Sequence, residues 1–582
     1  MLRWLERRIH QWMDQPGLPL WYAPEYRLPL SAAEGWLGIE PRRADFVAWY
    51  LLQTEACRAT QLKTPEPISY EHLQRVHQPR YLDSLQKPET LAAMLGLPPS
   101  HIPVDEVLRT MRLACGGTLA AARWALEQAG PAMNLLGGFH QAGPDFGAGL
   151  CPLNDVACAL AALRAEGFGG RAAVIDLDAH QPVGTAACLA GDPLVWMGSI
   201  SAAAGGLSGV EAFAVPPGSG NADYRAAFER LLAALPEVEL VFVIAGGDVV
   251  AGDRLGGLQL DLRGVRRRDL ALARRLQGTA SIWLPGGGYH DDSWRVLAGT
   301  ARVLIDGSLE PIPERYDPMG EHFAELSAGY SPQAKDGDSD DNWLSADDLA
   351  AALRLPGLGQ RRLLDTYSVE AIDFALARFG ILPHLRRLGY GHFRSAIDRD
   401  DNGDRLRLYG SAGGQEHLLV EVVLARERIA GADMLYVHWL TLRNPLARFS
   451  AGKQQLPGQE VPGLGLARET VELLIRVARR LGLAGLAYRP AWYHTAYTGR
   501  YYMRFVDPER QGRFEALMRD LAGVPLLQAT LALAEGRVLL DGRPYSWEAD
   551  AMAYWLEGGP DDGARVAAER ERIRFALLPR GG

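Results

Sequence analysis

Four short apolar runs in the first half of the chain each lead into a polar or glycine-rich turn. The runs are Ala132 to Leu136, Ala172 to Ile175, Leu240 to Ile244 and Ser281 to Leu284. The turns that follow carry, in the same order, His140 and Gln141; Asp176, Asp178 and His180; Asp248; and Tyr289. Ligand sites in open α/β sheets lie beyond the carboxyl ends of the strands, so these four distant segments could meet at one place.

Two carboxylates and one imidazole in this set suit a divalent metal ion. Asp178, His180 and Asp248 could hold such an ion and leave a position open for water and substrate. Asp178 and His180 are two residues apart, so on an extended segment both would point the same way. The glycines at 286–288 would let the backbone approach the ion closely, and the Tyr289 hydroxyl could donate to a developing oxyanion. Each motif alone also fits an ordinary polar turn, and it is the ordered set that favours a site.

An open α/β sheet would position these side chains. From about Tyr22 to Leu304, helical patterns such as Val104–Gln128 and Ala222–Leu235 alternate with the short apolar runs. Short, unalternating apolar runs between helices are typical of buried parallel strands. The predicted fold is α/β, an open, mostly parallel sheet with helices on both faces.

The pattern predicts three parts along the chain: residues 1–310, a linker at 311–360, and a smaller α+β domain at 361–582. The linker prediction rests on a stretch rich in Gly, Ser, Pro and acidic residues. The predicted elements of the last part are strands at Arg405–Tyr409, Leu418–Leu424, Met434–Thr441 and Leu486–Tyr488, and helices at Ala467–Leu481 and Arg513–Leu521.

Composition narrows the class of protein. Of the 582 residues, 48% are hydrophobic and 23% charged, which is ordinary for a globular protein. Lys and Arg number 61 against 70 Asp and Glu, a net charge of −9 that argues against phosphate-dominated nucleic-acid binding. We find neither an apolar run of membrane-spanning length nor the apolar core of a secretion signal. We therefore predict a cytoplasmic protein with no membrane partner.

The cysteines do not form a disulfide framework or a thiolate zinc site. There are five, an odd number, all in the first third of the chain, and none forms a CxxC pair. They are Cys57, Cys115, Cys151, Cys158 and Cys188.

Residues from about 20 to 305 resemble the histone deacetylase superfamily of zinc-dependent acyl-amide hydrolases. The motifs that carry the resemblance are LACGGTLAAARWAL, NLLGGFHQAG, GLCPLNDVACAL, VIDLDAHQPVGTA, PPGSGNADY, IAGGDVVAGDRLGGLQLD and LPGGGY. The sequence DAHQ at residues 178–181 is most similar to that of class IV and bacterial members.

The resemblance implies roles for the residues at the four strand ends. It makes Asp178, His180 and Asp248 the zinc ligands and Tyr289 the group that polarises the substrate carbonyl. His140 corresponds to the first histidine of the family's tandem pair. Asp176 corresponds to the acid that orients this histidine. The family's structural K⁺ site corresponds to Asp176, Asp178, His180 and Ser199.

The sequence departs from the family pattern at both members of one proton-transfer dyad. Gln141 stands where the family has its second histidine, and Val183 stands where it has the acid or amide that supports that histidine. A glutamine can hydrogen-bond water but cannot take its proton. General acid–base catalysis is worth about 10²–10⁴-fold, so the loss predicts a barrier higher by roughly 3–5 kcal/mol. His140, oriented by Asp176, is then the remaining proton carrier. A smaller departure is Leu150, where many members place an aromatic residue.

The later region loosely resembles the acetyltransferase fold that binds acyl-coenzyme A. The segment QEVPGLGLARE opens a predicted helix, and Gly463 and Gly465 fit a loop that presents N–H groups to a pyrophosphate. Glu460 occupies the leading position, where an acid would repel that group. A plain glycine-rich turn, a degenerate transferase, a docking module and a partner surface all stay open. Further candidate site residues there are His438, Arg443, Arg468, Tyr493 and His494.

The leading hypothesis is a zinc-dependent deacylase that hydrolyses an N-acyl amide, namely an acyl-lysine, an acylpolyamine or another N-acyl amine. A second hypothesis is a zinc-binding acyl sensor or scaffold with weak or no hydrolysis, because both members of the dyad are missing. A third adds an acyl-CoA transferase activity in the later domain.

Overall fold

The chain forms two compact units, Met1–Pro318 and Met319–Gly582. The structure, a computed structural model, describes residues 17–28, 39–97, 99, 102–202, 206–328, 361–449 and 455–579. Most of the predicted linker at 311–360 lies outside these ranges, as does the N-terminal segment, so the predicted division at 310 and 361 stays a prediction.

The first unit is built on an eight-stranded sheet in which every pairing is parallel. Its strands are β1 (Leu20–Trp21), β2 (Leu62–Lys63), β3 (Pro131–Asn134), β4 (Ala172–Asp176), β5 (Val195–Ser199), β6 (Glu211–Ala212), β7 (Leu240–Ile244) and β8 (Ala280–Leu284). Their order across the sheet is β2-β1-β3-β8-β7-β4-β5-β6. The predicted open parallel α/β sheet is confirmed.

Helices connect these strands, as parallel pairing requires. They are α1 (Arg43–Gln53), α2 (Tyr70–Gln74), α3 (Pro79–Ser84), α4 (Pro88–Leu95), α5 (Val104–Gln128), α6 (Asp155–Ala165), α7 (Val183–Leu189), α8 (Asn221–Ala234), α9 (Leu262–Arg275) and α10 (Ser293–Asp306), with 3-10 helices at Pro24–Tyr26 and Ala59–Gln61. Asn154 and Asp261 begin α6 and α9 by accepting backbone N–H groups with their side chains.

The centre of the first unit is apolar and closed to solvent. Every residue of β4, β7 and β8 is buried, which explains why their sequences read as continuous apolar runs. Strand β7 has the bounds that its sequence predicts, and β4 and β8 differ from theirs by one residue at one end. This packing makes the strand ends a rigid platform for the polar turns that follow.

The second unit is α+β, as predicted. A seven-stranded sheet has the order β14-β17-β13-β12-β11-β10-β9, and a smaller sheet has the order β16-β15-β18. The strands are β9 (Gly391–Asp400), β10 (Gly403–Ala412), β11 (Gln415–Ile429), β12 (Ala432–Leu442), β13 (Gly485–Tyr488), β14 (Arg504–Phe505), β15 (Val538–Leu540), β16 (Arg543–Pro544), β17 (Met552–Trp555) and β18 (Phe575–Leu577). All pairings are antiparallel except that of β12 with β13.

One buried apolar cluster joins the larger sheet of the second unit to its helices, through residues such as Leu435, Ile475, Leu486 and Phe514. The helices are α11 (Pro318–Ala328), α12 (Val369–Arg378), α13 (Ile381–Arg387), α14 (Ala467–Arg480), α15 (Tyr493–Gly499), α16 (Pro508–Asp520), α17 (Leu526–Ala534) and α18 (Gly563–Arg572). Among the described residues of both units, no helix is long and apolar enough to cross a membrane.

Candidate metal centre

Four neighbouring strands at the centre of the first sheet carry the candidate residues at their carboxyl ends. Strands β3, β8, β7 and β4 lie side by side in that order. His140, Tyr289 and Asp248 follow β3, β8 and β7 respectively, and Asp176 ends β4, with Asp178 and His180 just after it. The sheet order, which the sequence does not show, therefore brings all four turns to one edge of the sheet.

Asp178, His180 and Asp248 converge to a set that could hold a metal ion. One ligand atom from each lies within 4.8 Å of the others. His180 Nδ1 is 3.0 Å from Asp178 Oδ1 and 2.9 Å from Asp248 Oδ2. Both aspartates are buried, whereas 41% of the His180 side chain is exposed. The cluster is therefore closed on the protein side and open on the histidine side.

Backbone N–H groups hold the two carboxylates in place. Asp248 Oδ1 accepts the Ala179 N–H at 3.0 Å, and Asp178 Oδ2 accepts the Gly287 N–H at 2.7 Å. A Cβ atom at Gly287 would lie 2.7 Å from Asp248 Oδ2 and 2.9 Å from Asp178 Oδ2. A side chain at this position would therefore displace one carboxylate, which explains the need for glycine.

The charged groups of the cluster shift one another's pKa values. Burial and the nearby Asp178 charge raise the pKa of Asp248 to about 7. Hydrogen bonds to Asp178 and Asp248 raise the pKa of His180 to about 10. Burial opposes ionisation of Asp178 too, but the charge of His140 and the hydrogen bonds with His180 and Asp248 outweigh it and lower its pKa. A divalent cation bound by these atoms would replace the protons in balancing the carboxylates.

His140 lies beside this cluster and is oriented by Asp176. Its Nδ1 is 2.7 Å from Asp176 Oδ2, and its Nε2 is 3.6 Å from Asp178 Oδ1. Both His140 and Asp176 are buried. Burial opposes the imidazolium charge, but the carboxylates of Asp176 and Asp178 outweigh this effect and raise the pKa of His140 to about 9.

Gln141 is part of the same arrangement. Its amide nitrogen donates to the Gln181 carbonyl oxygen at 2.8 Å and lies 3.1 Å from His140 Nε2. The carbonyl contact fixes which end of the amide faces His140, because only the nitrogen can donate to an oxygen acceptor.

Val183 is the first residue of α7, and its apolar side chain cannot form a hydrogen-bonded pair with residue 141. The start of α7 packs closely on the backbone after His140. The Thr185 N–H donates to the His140 carbonyl at 2.9 Å, and a Cβ at Gly184 would lie 2.3 Å from the Gln141 carbonyl carbon. The helix therefore supports the His140–Gln141 turn through its backbone.

Tyr289 borders the metal cluster from the other side. Its ring is edge-on to the His180 ring, with 6.4 Å between centroids. Burial and the charges of Asp178 and Asp248 raise the pKa of its hydroxyl well above the usual value, so the group stays a proton donor. The Tyr289 N–H donates to Asp253 Oδ2 at 2.6 Å.

Arg43, the first residue of α1, binds the backbone of the glycine turn before Tyr289. Its guanidinium donates to the carbonyl oxygens of Gly286 at 3.0 Å and Gly287 at 3.1 Å. Sequence reasoning missed Arg43 and Asp253. Asp253 lies in the motif IAGGDVVAGDRLGGLQLD, so the sequence resemblance could have indicated it. Arg43 lies far from every motif in the sequence.

Two other predicted residues of the first unit have clear positions. Ser199 ends β5, and its buried hydroxyl has no hydrogen-bond partner among the described residues. Leu150 has a left-handed backbone with φ of 67° and follows Gly149, whose φ is 52°. A non-glycine residue rarely adopts this conformation, so the loop after Gln141 is under local strain.

In the second unit, Gly463 and Gly465 lie just before α14, where the sequence predicts a loop. Gly465 has a left-handed φ of 72°. Glu460 pairs with Arg443 at 2.7 Å, so its negative charge is partly balanced. Leu466, the residue before α14, makes no side-chain cap to the helix.

The other candidates of the second unit contact different neighbours. His438 pairs with Glu427 at 2.6 Å, and the Arg468 guanidinium lies over the Tyr501 ring at 4.2 Å. Tyr493 packs on Trp547 with 5.7 Å between ring centroids. His494 is buried and its Nδ1 has no partner in the described chain.

Comparison with known proteins gives a family match within the first unit. Residues 39–302 match the histone deacetylase domain family. An uncharacterised protein of Picosynechococcus sp. is 33% identical over 286 residues, which cover 47% of this chain and 92% of that protein. Histone deacetylase 2 of Arabidopsis thaliana is 31% identical over 262 residues, or 41% of this chain and 66% of that protein.

A solved structure, the crystal structure of a histone deacetylase homologue complexed with SAHA, covers 52% of this chain and 86% of its own chain. Its TM-score is 0.45 and its sequence identity is 20%.

Proposed function

We propose, on the premise that the chain carries a domain of the histone deacetylase family at residues 39–302, that the protein is a zinc-dependent deacylase that hydrolyses N-acyl amides. The substrate class is an acyl-lysine, an acylpolyamine or another N-acyl amine, and the reaction takes place in the cytoplasm. The observation that carries the proposal is the convergence of Asp178, His180 and Asp248 within 4.8 Å.

The donor set fits zinc. Two carboxylates and one imidazole are ligands that zinc accepts in catalytic sites with an open position. The exposed side of His180 provides that opening. When bound, zinc would polarise a substrate carbonyl and acidify a water molecule.

His140 is the proposed proton carrier. Asp176 holds its Nδ1 at 2.7 Å, which leaves Nε2 directed toward the cluster. Gln141 cannot take a proton, but its amide donates to the Gln181 carbonyl and faces His140 Nε2. Asp176 and Asp178 raise the pKa of His140, and we assign Gln141 the task of favouring the neutral imidazole against them. The neutral form has a lone pair on Nε2, with which it can accept a proton from water and later return it to the leaving amine.

Tyr289 is the proposed carbonyl donor. Its hydroxyl stays protonated, and its ring lies edge-on to His180 at the open side of the cluster. A hydroxyl that donates to the carbonyl oxygen stabilises the charge that develops there. Leu150, in place of an aromatic residue, leaves the acyl-chain preference open.

A monovalent cation, K⁺, is proposed as a structural companion. The buried hydroxyl of Ser199 lacks a hydrogen-bond partner among the described residues, and Ser199, at the end of β5, pairs with Asp176 of β4. Buried polar groups usually have a hydrogen-bond partner or bind an ion, and a hydroxyl oxygen is a ligand that hard cations accept.

The proposal is tested with purified full-length protein on a panel of acyl-lysine peptides and acylpolyamines. We expect hydrolysis in the wild type and a loss of at least about 10²-fold in Asp178→Asn and Asp248→Asn. Asp223→Asn removes an exposed carboxylate on α8 and serves as the matched control, with activity unchanged. Activity that survives both ligand variants would exclude the proposed site.

A second candidate function, a zinc-binding acyl sensor or scaffold, is favoured by one observation. The position of the second catalytic histidine holds Gln141, whose amide is committed to the Gln181 carbonyl. A wild-type protein that binds zinc and an acyl-lysine peptide but hydrolyses none of the panel would support the sensor instead of the deacylase.

A third candidate, acyl-CoA binding by the second unit, is favoured by the parallel pair β12 and β13 and by the glycines 463 and 465 just before α14, where Leu466 provides no side-chain cap. Backbone N–H groups at such a helix start can bind a phosphate. Titration of the full-length protein with acetyl-CoA in a calorimeter tests it, and the absence of binding heat would remove this candidate.

A further inference from the structure

One carboxylate outside the metal cluster binds three backbone N–H groups at the border of the site. Asp253 Oδ2 accepts the N–H of Tyr289 at 2.6 Å. Asp253 Oδ1 accepts the N–H groups of Leu255 at 2.9 Å and Gly256 at 3.0 Å. Asp253 thus links the turn that carries Tyr289 to the loop that follows Asp248.

That loop is itself fixed to the metal cluster. Val250 and Leu260 form a parallel bridge that closes the loop at its base. The Asp253 N–H donates to the Val250 carbonyl at 3.2 Å. A Cβ at Gly256 would lie 1.7 Å from the Asp248 carbonyl oxygen, so the loop backbone lies directly against Asp248. The position of Asp253 is therefore set by the same segment that sets Asp248.

The Tyr289 turn needs such an anchor. It follows three glycines, and the φ angles of Gly286 and Gly288 are 57° and 149°. Glycine permits many backbone conformations, so the sequence of this turn does not by itself fix where Tyr289 begins. Arg43 holds the carbonyls of Gly286 and Gly287, and Asp253 holds the N–H of the tyrosine itself.

We propose that Asp253 is a positioning residue that sets the placement of Tyr289 relative to the metal cluster. The inference rests on the proposed function, in which the Tyr289 hydroxyl donates to the substrate carbonyl. Asp253 does not touch the reacting atoms and acts through the backbone of Tyr289. The same carboxylate also accepts the N–H of Leu255, a residue that is 47% exposed.

The kinetic test is a double-mutant cycle on the full-length, zinc-loaded protein with the acyl-lysine peptide that the wild type hydrolyses fastest. We expect Asp253→Ala to lower kcat at least about tenfold, since loss of an oxyanion donor costs about 10²–10³-fold. KM should stay within about twofold, because binding contacts are kept. In a Tyr289→Phe background the same change should cost less than about twofold, because Asp253 acts only through that hydroxyl.

Asp261→Ala is the matched control. Asp261 also accepts a loop or helix N–H, that of Gly264 at 2.5 Å, but it caps α9 and does not contact the Tyr289 turn. We expect kcat within about twofold of the wild type, and the same effect in the Tyr289→Phe background. Equal and additive losses for Asp253→Ala and Asp261→Ala would reduce Asp253 to an ordinary structural residue and overturn the inference.

The variant Asp253→Asn separates a loss of positioning from a loss of folding. Its single amide oxygen is expected to stay with the two donors of Leu255 and Gly256, which turns its NH₂ group toward the Tyr289 N–H. This variant should keep the loop and the melting temperature and still lose kcat as Asp253→Ala does. Full activity in Asp253→Asn with a correctly folded protein would contradict the proposal.

A crystal structure of Asp253→Ala separates this inference from the proposed function. We expect the Tyr289 ring to leave its edge-on position 6.4 Å from His180 while Asp178, His180 and Asp248 stay in place. An unmoved Tyr289 would overturn the positioning role whatever the activity. If the wild type hydrolyses no peptide, the proposed function fails, and the structure alone still decides the role of Asp253.

Discussion

The amide nitrogen of Gln141 faces Nε2 of His140 at 3.1 Å and donates to the Gln181 carbonyl at 2.8 Å. An amide nitrogen cannot accept a hydrogen bond, so the contact is favourable only when Nε2 carries a lone pair. Nδ1–H then donates to Asp176. The glutamine therefore favours the neutral form of His140, the form that can accept a proton.

Gln141→Leu is expected to shift the pH dependence of hydrolysis. Removal of a donor to Nε2 takes away a bond that favours the neutral imidazole, so the pKa of His140 should rise further. Because the neutral form is the active one, the acidic limb of the kcat/KM profile should move to higher pH, and activity at pH 7 should fall about tenfold. An unchanged acidic limb in a folded variant would show that Gln141 does not act on His140.

Gln141→His combined with Val183→Asp tests the missing dyad. If the native site lacks one proton-transfer group, the two changes together should raise kcat, within a ceiling of about 10²–10⁴-fold. Gln141→His alone should gain less, because nothing would orient the new imidazole. Val183 is the first residue of α7, and its replacement could affect the helix. The melting temperature of the double variant is therefore measured together with kcat. A folded double variant with no gain would mean that proton transfer does not limit the native rate.

Gly287→Ala should abolish metal binding with little loss of fold. The new Cβ would lie 2.7 Å from Asp248 Oδ2 and 2.9 Å from Asp178 Oδ2, so at least one ligand must move. Gly169→Ala is the control, because a Cβ there meets nothing within 4 Å. Zinc content measured by atomic emission should fall to near zero in Gly287→Ala and stay at the wild-type level in Gly169→Ala. Full zinc content in Gly287→Ala would contradict the ligand geometry.

Zinc affinity should rise with pH. In the metal-free protein the pKa of Asp248 is raised to about 7 and that of His180 to about 10, so both groups hold protons at pH 6. Zinc ligands must be deprotonated, so binding releases these protons and the affinity grows by about tenfold per pH unit for each proton released. Chelator competition at pH 6, 7 and 8 measures the slope. A flat dependence would mean that these two groups are not the ligands.

The ends of β4, β7 and β8 could be predicted from the sequence to within one residue because they depend on local information, whereas β3 ends two residues before its predicted end at Leu136. Strand β7 is a run of five apolar residues, all of them buried, and its predicted and observed bounds agree. The two-residue spacing of Asp178 and His180 predicted that both side chains point the same way on an extended segment. The structure brings them within hydrogen-bond distance, but through a bend after β4 and not through an extended segment.

The supports of the site could not be predicted, because they depend on contacts between distant segments. Arg43 binds the carbonyls of Gly286 and Gly287 from more than 240 residues away. Gln141 meets the backbone of Gln181 only because α7 packs on the turn after His140. Strand β9 was also missed, because its alternation of Arg, Ser, Asp and apolar residues has no continuous apolar run.

The metal content of the purified protein tests the central claim most directly. Elemental analysis of full-length wild-type protein should give one zinc ion per chain, and Asp178→Ala and Asp248→Ala should each reduce it to a small fraction. A wild-type protein that binds no zinc even at excess metal and pH 8, or variants that keep the full complement, would contradict the assignment of Asp178, His180 and Asp248 as one metal centre.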